Sequence, residues 1–201
     1  MSNWPLLSVL IWLPILGGAL VLALGNARAG AARWLGFAVA VLTFVFSLGL
    51  LSGFDYANPG LQFIESHAWI PSFDIHYNLG ADGIAVALLL LNTLITVLTL
   101  AGAWGSVNKR VAQYVAAFLI LEGLTNGIFA ASDAVLFYVF FEAMLIPMFL
   151  IIGVWGGPRR IYASLKFFLY TFLGSVLMLV GLVYLYIKGG SFQLADLYAM
   201  P

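Results

Sequence analysis

The chain contains six long runs of apolar residues, separated by shorter polar segments. Each run has about the 20 residues that an α-helix needs to cross the hydrocarbon core of a bilayer. The runs are continuous, whereas a transmembrane β-strand alternates apolar and polar residues over about ten positions. The pattern therefore predicts an all-α membrane protein, a polytopic helix bundle that forms a single transmembrane domain. The predicted transmembrane helices cover residues 5–25, 34–52, 84–104, 112–131, 134–154 and 163–187.

One connection, residues 53–83, is long enough to have structure of its own. Within it, the stretch FDIHYNLG alternates apolar and polar positions, which is typical of a β-strand. The preceding stretch LQFIESHAWI is a candidate partner strand, with a turn at Pro71 and Ser72. We therefore expect a small external hairpin between the second and third helices.

The same connection contains two histidines and several carboxylates, so a metal site has to be considered. His67 and His76 lie beside Glu65 and Asp74, but their spacing matches no common set of ligands. We favour a solvated loop, and we expect no metal ion in this chain.

The composition leads independently to a membrane protein. Hydrophobic residues make up 64% of the 201 residues, charged residues make up 8%, and the mean hydropathy is +1.08. Soluble domains have roughly 45–50% apolar and 25% charged residues. The absence of cysteine excludes disulfides, thiolate metal sites and thiol nucleophiles. The formal net charge of zero gives no indication of a nucleic-acid partner, so the lipid bilayer is the expected environment.

Basic residues occur in alternate connections, which predicts the orientation. Cytoplasmic loops of membrane proteins retain Lys and Arg. Connections 26–33, 105–111 and 155–162 contain Arg28, Arg33, Lys109, Arg110, Arg159 and Arg160. Connections 53–83 and 132–133 contain Asp55, Glu65, Asp74, Asp82 and Asp133, and no basic residue. The N-terminus is therefore predicted to be outside, and so is the tail after the sixth helix, where Lys188 is the exception.

Three ionisable residues fall inside predicted helices: Glu122 in the fourth, Glu142 in the fifth and Lys166 in the sixth. An ionisable residue in a membrane helix is costly, so each of them is a candidate functional residue. At a rise of about 1.5 Å per residue, both glutamates lie near the midplane. Lys166 lies close to the cytoplasmic end of its helix, roughly 13 Å from the level of Glu142, and a lysine side chain does not span that distance.

Each of these residues also has a purely structural interpretation. Lys166 either extends to the cytoplasmic surface or serves as a proton entry or relay group. Glu142 reaches neither surface, so it is either part of an ion path or a protonated acid that is hydrogen-bonded to a neighbouring helix. Glu122 lies beside Thr125 and Asn126, so an ordinary polar seam between helices is the alternative to a proton relay.

A proline follows Glu142 in the same predicted helix. Pro147 removes a backbone hydrogen bond, which can kink the helix or open it to water. We interpret a midplane acid beside an interrupted helix as a feature of ion transport.

Residues 133–179 resemble the core signature of a known family: DAVLFYVFFEAMLIPMFLIIGVWGGPRRIYASLKFFLYTFLGSVLML. The family is chain M, or subunit 4, of the proton-translocating NADH:quinone oxidoreductase, respiratory complex I. The matching motifs are FYVFFE, IPMF, WGG, R followed by A, KFF, YT and GS, in that order. NLGADGIAV at 78–86 also resembles the motif before the family's third helix, and the resemblance extends over essentially the whole chain.

The resemblance implies the N-terminal part of an antiporter-like, proton-translocating subunit of about fourteen helices built on an inverted repeat. In that family the glutamate at the position of Glu142 pairs with a lysine on helix seven and gates a midplane chain of lysines, histidines and acids. Bacterial members often have the same residues at the positions of Glu122 and Lys166, which implies proton-relay roles for these two.

The resemblance also implies what surrounds the chain. NADH, FMN, iron–sulfur clusters and quinone are handled by partner subunits, so this chain is a subunit of an H⁺-translocating NADH:ubiquinone reductase with no cofactor and no redox chemistry of its own. Its partners are the other membrane subunits of complex I, including neighbouring antiporter-like subunits. Its location is the bacterial inner membrane, with the mitochondrial inner membrane as the alternative.

One departure from the family is large. The chain ends at Pro201, soon after the sixth predicted helix and before the family's helix seven with its lysine. We therefore expect a truncated form of the family's fold that cannot pump alone. Two other functions stay open, a subunit of a multisubunit cation/proton antiporter and a membrane scaffold whose buried acids only fix helix packing.

Overall fold

The computed structural model describes residues 4–58, 60–71 and 75–198, and it is a bundle of long helices with one hairpin. Six of its helices are long and apolar enough to cross a membrane, which confirms the predicted fold class. The helices are α1 Leu6–Leu24, α2 Ala29–Gly53, α3 Gly83–Gly102, α4 Val111–Ala130, α5 Ala134–Trp155, α6 Arg160–Gly189 and the short α7 Leu194–Tyr198. The strands are β1 Gln62–Ile70 and β2 Ile75–Ala81.

Two helices are longer than the apolar runs that predicted them. α2 begins at Ala29 and includes Arg33, and α6 begins at Arg160. A long basic side chain at a helix end can extend along the helix to the polar surface, so a charge there does not end the helix. The other four long helices begin and end within two residues of their predicted bounds.

α4 lies at the centre of the bundle and packs against α1, α2, α3 and α5. Its approach to α1 is close because glycine lies at the contact: a Cβ on Gly123 would meet the backbone oxygen of Ile11. Small residues at helix interfaces are the usual means of close packing in membranes. α6 lies at the edge and packs mainly on α5, and its buried residues are Ser164 and Ser175.

The predicted hairpin is confirmed. β1 and β2 pair antiparallel, with Glu65 opposite Leu79 and Ala68 opposite His76. The turn predicted at Pro71 and Ser72 lies partly outside the described residues, because Ser72 is not among them.

The hairpin is fastened to the first helix through Glu65. Its carboxylate accepts hydrogen bonds from the backbone N–H groups of Leu7, at 2.8 Å, and Ser8, at 3.2 Å, and from the hydroxyl of Ser8. The Tyr77 hydroxyl lies 3.1 Å from that of Ser8 and accepts from the indole N–H of Trp12 at 3.2 Å. Burial raises the pKa of Tyr77, so this hydroxyl remains a neutral member of the network.

A second junction ties the hairpin to α5. The Asp133 carboxylate caps α5 by accepting from the N–H groups of Val135 and Leu136 at 2.8 and 3.1 Å, and it also accepts from the N–H of His76. Burial raises the pKa of Asp133, while these N–H groups act in the opposite direction. From the sequence, Asp133 was counted as a charged residue of an outer connection. In the structure its side chain is buried and caps the N-terminus of α5.

No group of three or more His, Asp or Glu side chains suited to a metal ion occurs in the described part of the chain. Asp74, which was part of the possible metal set, lies outside the described residues. The ring of His67 lies against that of Tyr77, with 6.5 Å between the centroids.

Candidate functional site: carboxylates between the helices

Glu142 lies on α5, facing α6. It is eight residues into α5, roughly 12 Å from the start of the helix. Its side chain is half-buried, and the hydroxyl of Ser175 donates a hydrogen bond to its Oε1. Tyr138, one turn earlier on α5, is a hydrogen-bonding neighbour of both groups. Among the described residues, the groups that hydrogen-bond the Glu142 carboxyl group are therefore neutral hydroxyls.

The Ser175 hydroxyl has two acceptors for its single hydrogen. Besides Glu142 Oε1, it is 2.8 Å from the carbonyl oxygen of Phe172 on its own helix. If Glu142 is ionised, Ser175 donates to the carboxylate. If Glu142 is protonated, the acid can donate to the serine oxygen while the serine donates to Phe172. The contact can thus adapt to either protonation state.

Glu122 is only 1% exposed in α4, and neither of its carboxylate oxygens has a hydrogen-bond partner among the described residues. The polar seam expected beside it does exist. The Asn92 amide donates to the Glu122 backbone oxygen at 3.1 Å and to Asn126 Oδ1 at 2.9 Å, and Asn126 donates to the carbonyl of Leu10 at 2.9 Å. This seam joins α1, α3 and α4 through amides and leaves out the Glu122 carboxyl group.

Lys166 is exposed on α6. Its ammonium lies 5.9 Å from the ring centroid of Tyr162 and 5.7 Å from that of Tyr170. It lies nine residues before Ser175, so roughly 14 Å along the helix separates it from the level of Glu142. This agrees with the separation deduced from the sequence, and the structure does not bring the two residues together.

Pro147 does not interrupt its helix. α5 runs from Ala134 to Trp155 through the proline, whose missing N–H leaves the carbonyl of Ala143 without its helical hydrogen bond. The expectation of an interrupted helix beside Glu142 is therefore wrong. α5 contacts α6 on both sides of Pro147, through Glu142 and Ser175 before it and through Phe149 and Phe168 after it.

Two polar partners were missed by the sequence reasoning: Ser175, which meets Glu142, and Asn92, which meets Glu122. Ser175 belongs to the GS motif noted above, so the sequence did contain a signal for it. Asn92 is a polar amide inside an apolar helix. Because such residues are rare and commonly hydrogen-bond a neighbouring helix, its position could have indicated the contact.

Part of the chain matches a known family model, and nearly all of it aligns with part of longer relatives. Residues 131–200 match the family described as NADH:quinone oxidoreductase/Mrp antiporter, TM. Over 196 residues the chain is 51% identical to NADH-quinone oxidoreductase subunit M of Rhodobacter capsulatus. The aligned region covers 96% of this chain and 38% of that protein. It is 38% identical over 200 residues to subunit M of Rickettsia prowazekii, covering 98% of this chain and 41% of that protein.

A plant relative is also similar: NADH-ubiquinone oxidoreductase chain 4 of Arabidopsis thaliana is 40% identical over 189 residues, covering 94% of this chain and 38% of that protein. The chain thus spans about two fifths of the length of the curated relatives named here.

Among solved structures, a chain of respiratory complex I from Thermus thermophilus with bound NADH has a TM-score of 0.83 at 33% identity, covering 97% of this chain and 39% of that one. A chain of the Mrp complex from Dietzia sp. DQ12-45-1b has a TM-score of 0.81 at 18% identity, covering 97% of this chain and 21% of that one. At that identity the second likeness shows the fold alone.

The six long apolar helices are those of an integral membrane protein, and residues 131–200 resemble the membrane part of NADH:quinone oxidoreductase and Mrp antiporter subunits. Within that class, the resemblance to subunit M, or chain 4, of NADH:quinone oxidoreductase is confirmed, because relatives with those names align with nearly the whole chain.

Proposed function

We propose that this chain is part of the proton-translocating membrane subunit of an NADH:quinone oxidoreductase, and that Glu142 is a carboxyl group of its proton channel. Electron transfer from NADH to quinone takes place in partner subunits, which hold the FMN and the iron–sulfur clusters. The six long helices form one transmembrane domain that contacts other membrane subunits of the complex. The domain lies in a bacterial inner membrane, with its N-terminus and hairpin on the outer side.

The contact between Glu142 and Ser175 carries the proposal. A carboxyl group deep in a membrane helix is a functional group by default, because burying its charge is costly. A rotating hydroxyl can hydrogen-bond the carboxyl group before and after it takes up a proton. A fixed positive charge would instead hold the group ionised. The geometry thus suits a group whose protonation state changes during the catalytic cycle.

Replacing Glu142 with Gln in the full-length parent protein tests the role. Gln keeps the size and a hydrogen-bonding oxygen but cannot exchange a proton. Since a positioned acid–base group contributes about 10²–10⁴-fold to proton transfer, we expect NADH-driven proton pumping to fall roughly ten-fold or more. Pumping is measured in membrane vesicles by quenching of a pH-sensitive dye, alongside assembly of the complex.

The control is Glu65→Gln, which neutralises a carboxylate in the hairpin without altering any carboxyl group between the helices. We expect this variant to pump normally once assembled. Normal pumping by an assembled Glu142→Gln complex would reject the proton-channel role and would leave the scaffold function.

The fold likeness to the Mrp complex supports a second candidate, a subunit of a multisubunit cation/proton antiporter. The sequence identities favour the oxidoreductase, since relatives with that name reach 51%. Deletion of the gene separates the two: loss of NADH:quinone oxidoreductase activity supports the first, whereas loss of sodium tolerance with normal NADH oxidation supports the second.

A further inference from the structure

A surface groove of about 600 Å³ lies along the start of α6, at the basic end of the bundle. Its described lining residues include three cations, Arg159, Arg160 and Lys166, and no acidic residue. All three are exposed, and no hydrogen bond or ion pair with another described residue engages their charged groups. The groove therefore has three positive charges that the described part of the chain leaves without a counter-charge.

Arg33 shows that a cation at the same end can be engaged within the protein. Its guanidinium donates to the carbonyl of Val107 at 2.6 Å and to the side-chain oxygen of Asn108 at 3.1 Å. The cations of the groove have no such acceptors among the described residues, although three of them share one site. Their arrangement therefore suits an anion that comes from outside the described chain.

The depth of the groove places it where lipid phosphates lie. Lys166 is six residues after the start of α6, roughly 9 Å along a helix that is long enough to cross the membrane. A lysine at this depth extends its long side chain back toward the polar surface. Its ammonium and the two guanidinium groups at the helix start can therefore meet the same layer of headgroups.

The surface of α6 beside Lys166 has the composition of a membrane interface. Tyr162, Lys166 and Tyr170 are four residues apart and so lie on one face of the helix. The Lys166 ammonium is within 6 Å of both ring centroids, and the two tyrosines are 64% and 70% exposed. Leu169 and Leu173 continue this exposed face deeper into the span. The face thus changes from cations to amphipathic rings to apolar residues, as a lipid does from headgroup to acyl chain.

An anionic phospholipid fits this order of groups. Guanidinium groups bind phosphate oxygens through paired hydrogen bonds, and an ammonium adds a further charge. Anionic lipids are abundant in the cytoplasmic leaflet, where basic pockets at the ends of membrane helices bind their headgroups. The basic end of this bundle is the end that we expect on that side, so lipid phosphates are the anions already present at the level of the groove.

We propose that the groove formed by Arg159, Arg160 and Lys166 binds the headgroup of an anionic phospholipid, whose acyl chain lies along Leu169 and Leu173. Lys166 is then a lipid ligand that stays at the membrane surface, which selects the first of its two interpretations over the proton relay. The inference goes beyond the proposed function and is independent of it, since lipid binding can be measured without proton pumping.

The test uses phosphatidylglycerol with a photoreactive group in one acyl chain. It is added to the full-length protein, in its complex, in nanodiscs of phosphatidylcholine, and the labelled residues are located by peptide mass spectrometry after illumination. We expect labelling within residues 165–173. Unlabelled phosphatidylglycerol should displace the probe, whereas additional phosphatidylcholine and inorganic phosphate should not.

Variants of the three cations test the groove itself. Arg159→Gln, Arg160→Gln and Lys166→Gln should each weaken binding about five-fold, the effect of one basic residue near a membrane surface. The triple variant should weaken it about a hundred-fold. Lys166→Arg keeps the charge and should bind like the wild type. Arg28→Gln is the matched control, because Arg28 is an exposed arginine of the same end that does not line the groove.

Equal labelling in the triple variant and in Arg28→Gln would overturn the inference, and so would displacement of the probe by phosphatidylcholine. Displacement by inorganic phosphate would show a site for free anions instead of lipid. A photochemical link from the groove to another membrane subunit in place of the lipid would show a protein partner and would also reject the proposal. The competition experiment uses the wild-type protein, so it decides the question even where the triple variant fails to assemble.

Discussion

At the scale of single residues, the Ser175 hydroxyl is the group that adapts to the state of Glu142. Without it, an ionised Glu142 loses its donor from α6, and a protonated Glu142 loses an acceptor. Either loss leaves a polar group in an apolar interface, and such a group costs more than an ordinary hydrogen bond is worth.

We therefore predict that Ser175→Ala lowers proton pumping by roughly two- to ten-fold while the complex still assembles. Dye-quenching assays on vesicles measure the rate, and Ser175→Thr, which keeps the hydroxyl, should restore most of it. Ser164→Ala is the matched control, since Ser164 is the other buried serine of α6 and donates to the carbonyl of Ile161. Equal rates in Ser175→Ala and Ser164→Ala would contradict the prediction.

The sequence was enough to single out Glu142 but not its partner. Depth in the membrane can be counted along one helix, so the separation of Glu142 from Lys166 was predictable from residue numbers. The side of a helix that meets its neighbour cannot be counted in this way, because it depends on how two helices rotate against each other. The contact between Ser175 and Glu142, and the lack of a hydrogen-bond partner for the Glu122 carboxyl group among the described residues, both depend on that rotation.

At the scale of elements, the hairpin supplies the missing cap of the first helix. α1 begins after Pro5 without a side-chain cap of its own, and the Glu65 carboxylate accepts from its first N–H groups instead. A negative charge at a helix N-terminus is favourable, both as an acceptor and through the helix dipole.

We predict that Glu65→Ala weakens the start of α1 by about 1–2 kcal/mol. Hydrogen–deuterium exchange of the Leu7 and Ser8 amides in the full-length protein should become faster, with the rest of α1 unchanged. Glu65→Gln retains an acceptor oxygen and should have a smaller effect. Unchanged exchange in Glu65→Ala would show that α1 holds its first turn without the hairpin.

The elements themselves were largely predictable. Helices came from the length of apolar runs and the hairpin came from alternation in FDIHYNLG, because both periodicities are local. Pro147 was misjudged for the opposite reason: a proline breaks a helix only where nothing else holds it, and packing against the neighbouring helices is not local.

At the scale of the whole molecule, the two ends of the bundle differ in charge. The connections between α2 and α3 and between α4 and α5 are acidic, whereas the connections at the other end contain the arginines. Because basic loops remain in the cytoplasm, this difference fixes the expected orientation.

The absence of cysteine in this chain allows a direct test of that orientation. Ser66 in the hairpin and Ser106 in a basic connection are both exposed, so Ser66→Cys and Ser106→Cys are matched variants of nearly equal size. A membrane-impermeant maleimide should label Ser66→Cys in intact cells and should label Ser106→Cys only in inverted vesicles. The reverse pattern would place the N-terminus inside.

Both ends of the bundle are held by hydrogen bonds, and the acidic end has backbone hydrogen bonds in addition to those of the Glu65 and Asp133 side chains. At the acidic end, backbone hydrogen bonds of 2.9 to 3.1 Å join the hairpin, the α4–α5 connection and the segment before α7, through Ser132 to Asn78, Ala134 to Phe192 and Leu194 to Ser132.

At the basic end the fastenings include two side chains: Arg33 donates to the carbonyl of Val107 at 2.6 Å, and Trp155 donates to that of Lys109 at 3.0 Å. Backbone hydrogen bonds do not depend on the identity of the side chain, except at proline, whereas a side-chain hydrogen bond is lost when that one residue is replaced. Single substitutions at Arg33 or Trp155 can therefore loosen the basic end, whereas the backbone hydrogen bonds at the acidic end remain.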